Sequence, residues 1–201
     1  MDYNDSMFSL TPCAAGCGRP AISGSNTCAI HAANPALEVE RIGDYITGRE
    51  VVKNLSACGL HFEGMDFSKR KFYGCNFSGA SFTMCLFTKT LMRMVFFDFT
   101  VFNHCDFSGS NLEFLSFSGS AIRNCTFEGS ELVQINYGGS VISDSTFNNS
   151  DLYNSRFIDT AITNSDFEDC NLKRVCFFKT RREKVNFKAS NTAEAVFEIG
   201  D

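Results

Sequence analysis

Residues 105–129 read CDFSG SNLEF LSFSG SAIRN CTFEG, five consecutive pentads in which the third residue is always large and apolar. The same position is large and apolar in 24 successive pentads, from Phe62 to Phe177. A period of five matches neither the 3.6-residue period of an amphipathic helix nor the two-residue period of a strand. The chain must therefore turn every five residues and return one side chain inward each time.

The identity of this central residue also repeats every 20 residues, which predicts four pentads in each coil. Like side chains then stack along the axis, and opposed sides pair Phe with Phe and Leu with Ile. Twenty-four pentads predict six coils. The four columns begin Phe107, Phe127, Phe147; Leu112, Leu132, Leu152; Phe117, Tyr137, Phe157; and Ile122, Ile142, Ile162.

Segments such as CDFSG (105–109), CTFEG (125–129) and SDFED (165–169) resemble the pentapeptide repeat family. The resemblance implies an all-β fold, a right-handed quadrilateral β-helix in which each side is one pentapeptide. We expect this β-helix to occupy residues 55–199. Residues 1–34 lack the repeat and are predicted to form a small zinc-finger-like segment, and residues 35–54 a capping helix and linker.

The N-terminal segment contains a candidate metal site with the spacing C-x3-C-x10-C-x2-H. Its ligands would be Cys13, Cys17, Cys28 and His31, and four Cys or His ligands are typical of structural rather than catalytic Zn²⁺. The segment is also too short and polar to fold around a core of its own, so a metal would supply folding free energy. The alternative interpretation is three incidental cysteines in a flexible tail.

The two ends of the β-helix need covering, because open coil ends expose unpaired backbone groups. Asn34 and Pro35 predict a helix start, and Gly48 its end. We expect the zinc segment and this helix to cap the first coil, with partner binding as the alternative role. Residues 178–201 are expected to close the other end, where the family resemblance implies a homodimer contact.

The remaining cysteines favour packing rather than disulfides. Cys85, Cys105 and Cys125 are spaced by 20 and should stack in one inward column as small buried thiols; a metal or redox ladder is the alternative. The start of the chain lacks a secretory signal pattern and no stretch is long enough to span a membrane. We therefore expect a reducing, cytoplasmic setting.

Charge is unevenly distributed along the chain, whose net charge is -5. Residues 98–169 contain eleven acids and two bases, whereas residues 173–188 contain seven bases and one acid. In the four-sided coil, eight of the acids fall on two adjacent sides. Those on the Phe107 side are Asp106, Glu128, Asp166, Glu168 and Asp169, and those on the Leu112 side are Glu113, Glu131 and Asp151.

These acids suggest either an ordinary solubilising surface or a DNA-like one. Residues 98–169 would span about 17 Å of coil, over which duplex DNA carries about 10 charges. The family resemblance also implies this second reading, since its quinolone-resistance branch binds DNA gyrase as a DNA mimic.

The sequence contains no nucleophile–base pair, phosphate-binding glycine loop or nucleotide fingerprint, which predicts a protein that is not an enzyme. We interpret it as a non-catalytic protein-interaction or scaffold module that presents an acidic two-sided rod. The alternatives are a gyrase-binding DNA mimic and a secreted bacterial effector. Direct nucleic-acid binding is not expected from the acidic composition.

Overall fold

The computed structural model describes residues 11–198, so residues 1–10 and 199–201 of the predicted ranges lie outside the described part. One helix, α1 (Pro35–Thr47), precedes twelve short strands, and a 3-10 turn spans Thr192–Glu194. The strands are β1 (Val51–Lys53), β2 (His61–Glu63), β3 (Lys71–Tyr73), β4 (Ser81–Thr83), β5 (Leu91–Arg93), β6 (Val101–Asn103), β7 (Asn111–Glu113), β8 (Ala121–Arg123), β9 (Glu131–Val133), β10 (Val141–Ser143), β11 (Ala161–Asp166) and β12 (Arg181–Asn186).

Every strand pairs in parallel with the strand 20 residues away, as in Val51↔Lys71 and Leu112↔Leu132. Two sides of the coil are sheets, of five and seven strands, and the other two are ladders of isolated parallel bridges. The all-β, four-sided solenoid is therefore confirmed. It has about seven turns rather than six, because pairing starts at Val51, inside the range 35–54 assigned to the helix and linker, and continues after Phe177 as far as Val196.

We number the four sides by their inward residues: face one contains Leu112, face two Phe117, face three Ile122 and face four Phe127. Like side chains stack along each face, and the Phe127 and Phe147 rings lie parallel at 4.8 Å. Opposed rings meet edge to face, as Phe107 and Phe117 do at 6.4 Å and 85°. Both arrangements are favourable for aromatic quadrupoles, and all 24 predicted inward side chains are buried.

A second inward row consists of small residues that hydrogen-bond along the axis. Ser130 Oγ donates to the carbonyl of Phe107 (2.9 Å) and accepts from the N–H of Ser110 (3.2 Å). Ser110 Oγ donates in the same way to the carbonyl of Phe87 (2.7 Å). These buried hydroxyls therefore have partners, as buried polar groups require.

The corners of the coil have left-handed backbone, with positive φ at every residue whose number ends in 4 or 9 from 54 to 189. Glycine occupies corners such as Gly109 and Gly119, yet twenty of these corner residues are not glycine. Each such residue costs about 1–2 kcal/mol of strain. The strain is tolerated because each corner turns a large side chain into the core.

Helix α1 begins and ends as predicted from its sequence. Asn34 Oδ1 accepts the N–H groups of Ala36 (3.1 Å) and Leu37 (3.3 Å), with Pro35 in the first turn. Ile42 and Ile46 are buried against the solenoid, whereas Leu37 is exposed. The helix thus lies across the first coil. No helix in residues 11–198 combines the length and apolar character needed to cross a membrane.

Residues 178–198, the described part of the segment expected to close the C-terminal end, continue the coil. Strand β12 continues the parallel sheet beside β11 and is its edge strand. Arg182 occupies the inward register where Ile162 lies one turn earlier, but its side chain is exposed. The chain therefore extends the solenoid through residues 181–186, and Val196 continues it by bridging to Cys176.

Candidate metal centre and acidic faces

The structure brings the four predicted metal ligands together, with their ligand atoms all within 4.8 Å of one another. The Nδ1 atom of His31 lies 3.5 Å from the Sγ atoms of both Cys13 and Cys28. The Sγ atom of Cys17 lies 3.7 Å from that of Cys28. The cluster can therefore hold one metal ion with three sulfur ligands and one nitrogen ligand.

Two local turns produce this convergence. Gly16 and Gly18 flank Cys17 with φ of 69° and 75°, a left-handed conformation that glycine adopts without strain. The N–H of Cys13 donates to the carbonyl of Arg19 (2.9 Å), which folds this segment back on itself. The N–H of His31 donates to the carbonyl of Cys28 (3.0 Å) and closes the second turn.

Hydrogen bonding prepares part of the cluster for a cation. The backbone N–H of Cys28 points at Cys13 Sγ (3.4 Å) and lowers the pKa of the Cys13 thiol to about 6. The backbone N–H of Arg19 lowers the pKa of Cys17, whereas burial raises the pKa of Cys28. Thiolate is the form that binds metals, so Cys13 is already suited to ligation at neutral pH.

The metal cluster belongs to a small module that is joined to the edge of the first coil. The N–H of Ser23 donates to the carbonyl of Ser56 (2.8 Å), and the N–H of Ser56 donates to Ser23 Oγ (2.7 Å). Ser56 Oγ donates to the carbonyl of Ala21 (2.8 Å), and Ile22 is buried in the core cluster of the solenoid. The module therefore satisfies backbone groups at the N-terminal edge.

The predicted acidic residues on face four lie on the outside of the coil, and Lys188 occupies the position one coil after Glu168. Within residues 11–198, none of the five forms an ion pair within 4.0 Å. Two of them are held by neutral donors: Asp106 accepts the N–H of Ser108 (2.8 Å), and Glu168 accepts Asn186 Nδ2 (2.6 Å). Face four therefore carries uncompensated negative charge.

Face one is less acidic than its sequence suggests. Glu113 forms an ion pair with Arg93 at 2.9 Å, and both side chains are partly buried. Arg93 lies one coil before Glu113, just outside the acidic range 98–169, so a charge count over that range missed it. Comparing each acid with the residues 20 positions away would have found the pair.

The other two acids of face one, Glu131 and Asp151, lie side by side in the same parallel ladder. Asn111 Nδ2 donates to Glu131, and Asn171 Nδ2 donates to Asp151 (2.9 Å). Neutral amides thus flank two carboxylates that repel each other, an arrangement that costs stability in a sheet. With the face-four acids, these two form a continuous surface that we call the acidic edge.

One shallow depression of about 420 Å³ lies on the solenoid between faces three and four. It offers two carboxylates and several amide and hydroxyl groups, and its only thiol, Cys125, is buried. No nucleophile with a neighbouring base is present among these lining residues. The lining consists of Asn124, Cys125, Thr126, Asp144, Ser145, Thr146, Asn164 and Asp166.

The repeat region matches a known family. Residues 97–133 and 139–177 match the family model described as pentapeptide repeats, in eight copies. The solenoid is a pentapeptide repeat domain. Such domains are in general non-catalytic structural or interaction modules, in agreement with the open, polar surface of this coil. No curated protein matches the sequence.

Several solved pentapeptide repeat structures are similar to this chain at low identity, which concerns the fold alone. HetL from the cyanobacterium Nostoc, a protein involved in heterocyst differentiation regulation, is 8% identical over 78% of this chain and 93% of its own, with a TM-score of 0.33. QnrB1, a plasmid-mediated fluoroquinolone resistance protein, is 14% identical over 70% of this chain and 83% of its own, with a TM-score of 0.40. A thylakoid-lumen protein of Arabidopsis thaliana is 17% identical over 57% and 70%, with a TM-score of 0.27.

Proposed function

We propose that this protein is a non-catalytic binding rod that a structural zinc ion closes at its N-terminal end, and that its acidic edge docks on a positively charged surface of a protein partner. The observation that carries the proposal is the set of uncompensated carboxylates. Seven of the eight predicted acids form no ion pair in the described chain, although bases are available at both ends of the solenoid.

Zinc is the metal that these ligand distances favour. Zn–S bonds of about 2.3 Å and Zn–N bonds of about 2.0–2.1 Å require tetrahedral edges of about 3.8 Å between sulfurs and about 3.5 Å between sulfur and nitrogen. The observed separations are 3.7 Å for Cys17–Cys28 and 3.5 Å for Cys13–His31 and Cys28–His31. Four protein ligands leave no open position for a substrate, so the zinc would be structural.

Metal analysis of the purified protein tests the zinc site. We expect one zinc per chain, and Co²⁺ substitution should produce the absorption of a tetrahedral thiolate complex. Cys28→Ser should lose the metal and lower the thermal midpoint, whereas Cys58→Ser, at a half-buried thiol outside the cluster, should keep it. A metal-free wild-type protein that retains its full stability would refute the proposal.

The acidic edge suits a partner that ordinarily binds a polyanion. Its carboxylates are spread over several coils of a rigid rod, at a linear density comparable with that of duplex DNA, about one charge per 1.7 Å. The partner that the sequence resemblance implies is DNA gyrase. We therefore propose a DNA-binding protein of this kind as the target, with gyrase as the first to test.

A supercoiling assay with purified gyrase distinguishes the acidic edge from a merely solubilising surface. Wild-type protein should inhibit supercoiling, and the inhibition should weaken as salt screens the charges. A variant with Asp106→Asn, Glu128→Gln, Asp166→Asn and Glu168→Gln should lose the effect.

The matched control neutralises acids on faces two and three, with Asp98→Asn, Asp144→Asn and Asp159→Asn, and should inhibit like wild type. Equal inhibition by both variants would contradict a role for face four. No inhibition by wild type at any concentration would exclude gyrase and leave other DNA-binding proteins to be tested in the same way.

A further inference from the structure

The two ends of the solenoid differ in whether other parts of the chain cover the backbone of the edge strand. At the N-terminal end, Ser23 pairs with the backbone of Ser56, and α1 lies across the coil. At the C-terminal end, β12 (Arg181–Asn186) is the edge of the seven-stranded sheet, and its strand neighbour is β11 alone. Within residues 11–198, no strand follows β12 on face three.

The backbone of β12 is set up to accept another strand. In earlier coils of face three, the corner N–H donates to the next coil, as His104 does to the carbonyl of Arg123 (3.0 Å) and Asp144 to that of Thr163 (3.1 Å). Lys184 occupies the same corner in β12. Its N–H therefore points to the position of a next strand, and such an edge is a template for strand addition.

The C-terminal end carries a net positive charge in the described chain, with seven bases and three acids over residues 173–198. Residues 173–188 contain seven bases and one acid. In the described chain only one of these bases has an ion-pair partner, Lys173, at 3.7 Å from Glu194. Those without one are Arg174, Lys179, Arg181, Arg182, Lys184 and Lys188.

Two partly buried phenylalanine rings lie beside these cations. Phe187 and Phe197 are only partly buried, whereas the equivalent rings one coil earlier, Phe167 and Phe177, are fully buried. The guanidinium of Arg182 lies 4.5 Å from the centre of the Phe197 ring. A strand added beside β12 would therefore form main-chain hydrogen bonds, make apolar contacts and lie next to positively charged side chains.

We propose that the β12 edge binds an extended acidic segment of a partner protein, which adds to the sheet as a parallel strand. Strand addition takes its affinity from main-chain hydrogen bonds and its specificity from the side chains on each face. The register between β11 and β12 pairs Ala161 with Arg181 and Thr163 with Glu183. If the same register continues for one more strand, two residues of the bound segment lie opposite Arg181 and Lys184. These two residues are three positions apart, and carboxylate side chains fit at both.

Charge and backbone chemistry favour an acidic peptide segment over a second copy of the chain and over a nucleic acid. A second copy joined end to end, as sequence resemblance implies, would bring two ends of seven bases together and would be repelled. A nucleic acid would satisfy the cations but offers no peptide groups to the edge. The site uses the backbone edge and the cations of β12, whereas the acidic edge uses carboxylates on the sides of earlier coils, the nearest being Glu168, which accepts a hydrogen bond from Asn186. The two proposals therefore use different groups, and this one stands independently of the proposed function.

Fluorescence anisotropy with the full chain and a short labelled peptide that has Glu at every third position, with Val between, tests the proposal. Arg181→Glu with Lys184→Glu should weaken binding by about tenfold or more, because two opposed charge pairs become repulsive. Arg123→Glu, an exposed reversal on the same face three coils earlier, should leave binding within about twofold. Both substituted positions are exposed, and unchanged thermal midpoints would show that the fold is retained.

A second peptide of the same charge, N-methylated at alternate residues, separates strand addition from simple attraction. It should bind about tenfold more weakly, since it cannot complete the main-chain ladder. Equal binding of the two peptides would overturn the proposal. So would tighter binding of a short DNA duplex than of the peptide, or a dimer in sedimentation that dissociates in the doubly reversed variant.

Discussion

Tyr137 should be replaceable by phenylalanine with a gain in stability. Its ring lies in the face-two column between Phe117 and Phe157, at centroid distances of 5.3 and 4.5 Å, and the side chain is fully buried. Its hydroxyl has no hydrogen-bond partner among residues 11–198. Burying an unpaired hydroxyl costs about 1–3 kcal/mol in proteins. Tyr137→Phe keeps the stacked ring and removes that cost.

We expect the variant to be about 1–2 kcal/mol more stable after allowing for the small void left by the oxygen. For a chain of this size that corresponds to a rise in thermal midpoint of about 2–4 °C per kcal/mol. Urea and thermal denaturation at neutral pH measure both quantities. Tyr153→Phe, the same change at a half-buried tyrosine on the outside, should shift neither.

The difference between the two proteins should also depend on pH. Burial raises the pKa of the Tyr137 phenol, whereas an unfolded tyrosine ionises near pH 10. A raised pKa in the folded state means that the protonated phenol favours folding below about pH 10 and that this contribution is lost above it. The gap between Tyr137→Phe and wild type should therefore widen in alkaline solution. A variant less stable than wild type by more than about 1 kcal/mol would show instead that the hydroxyl is well bonded.

Three further changes have directions set by the structure. Glu131→Gln should raise stability by about 0.2–1 kcal/mol because it relieves repulsion from Asp151; a gain that persists unchanged in high salt would contradict this origin. Gly119→Ala should lower the free energy of unfolding by more than Gly129→Ala. Both glycines have positive φ, but a Cβ at Gly119 would lie 2.7 Å from the Phe99 ring, whereas nothing lies within 4 Å at Gly129; equal denaturation midpoints for the two would refute the clash. Chelation of a structural metal should lower the thermal midpoint, and added zinc should restore it.

The inward residues and the metal ligands were predictable because their signals are repetitive or local. A five-residue period in which the residue types recur every 20 residues allows only a four-sided coil. Every central side chain from Phe62 to Phe177 is buried. The ligand pairs Cys13–Cys17 and Cys28–His31 are each within one turn of chain. The left-handed corners were predictable only where glycine occupies them, because the strain at other residues is imposed by the burial of their neighbours.

The sequence by itself determined the repeating coil, the identity of its core columns and the cluster of metal ligands, since each follows from spacing along a short stretch of chain. Only the tertiary structure decided which charged side chains and edge backbone groups at the surface have a partner. Arg93 meets Glu113 one coil away, Ser23 reaches the backbone of Ser56, and β12 is the edge strand of its sheet within residues 11–198. These outcomes depend on where one coil or end lies against another. That placement is set by packing and backbone pairing across the whole solenoid rather than by any local pattern.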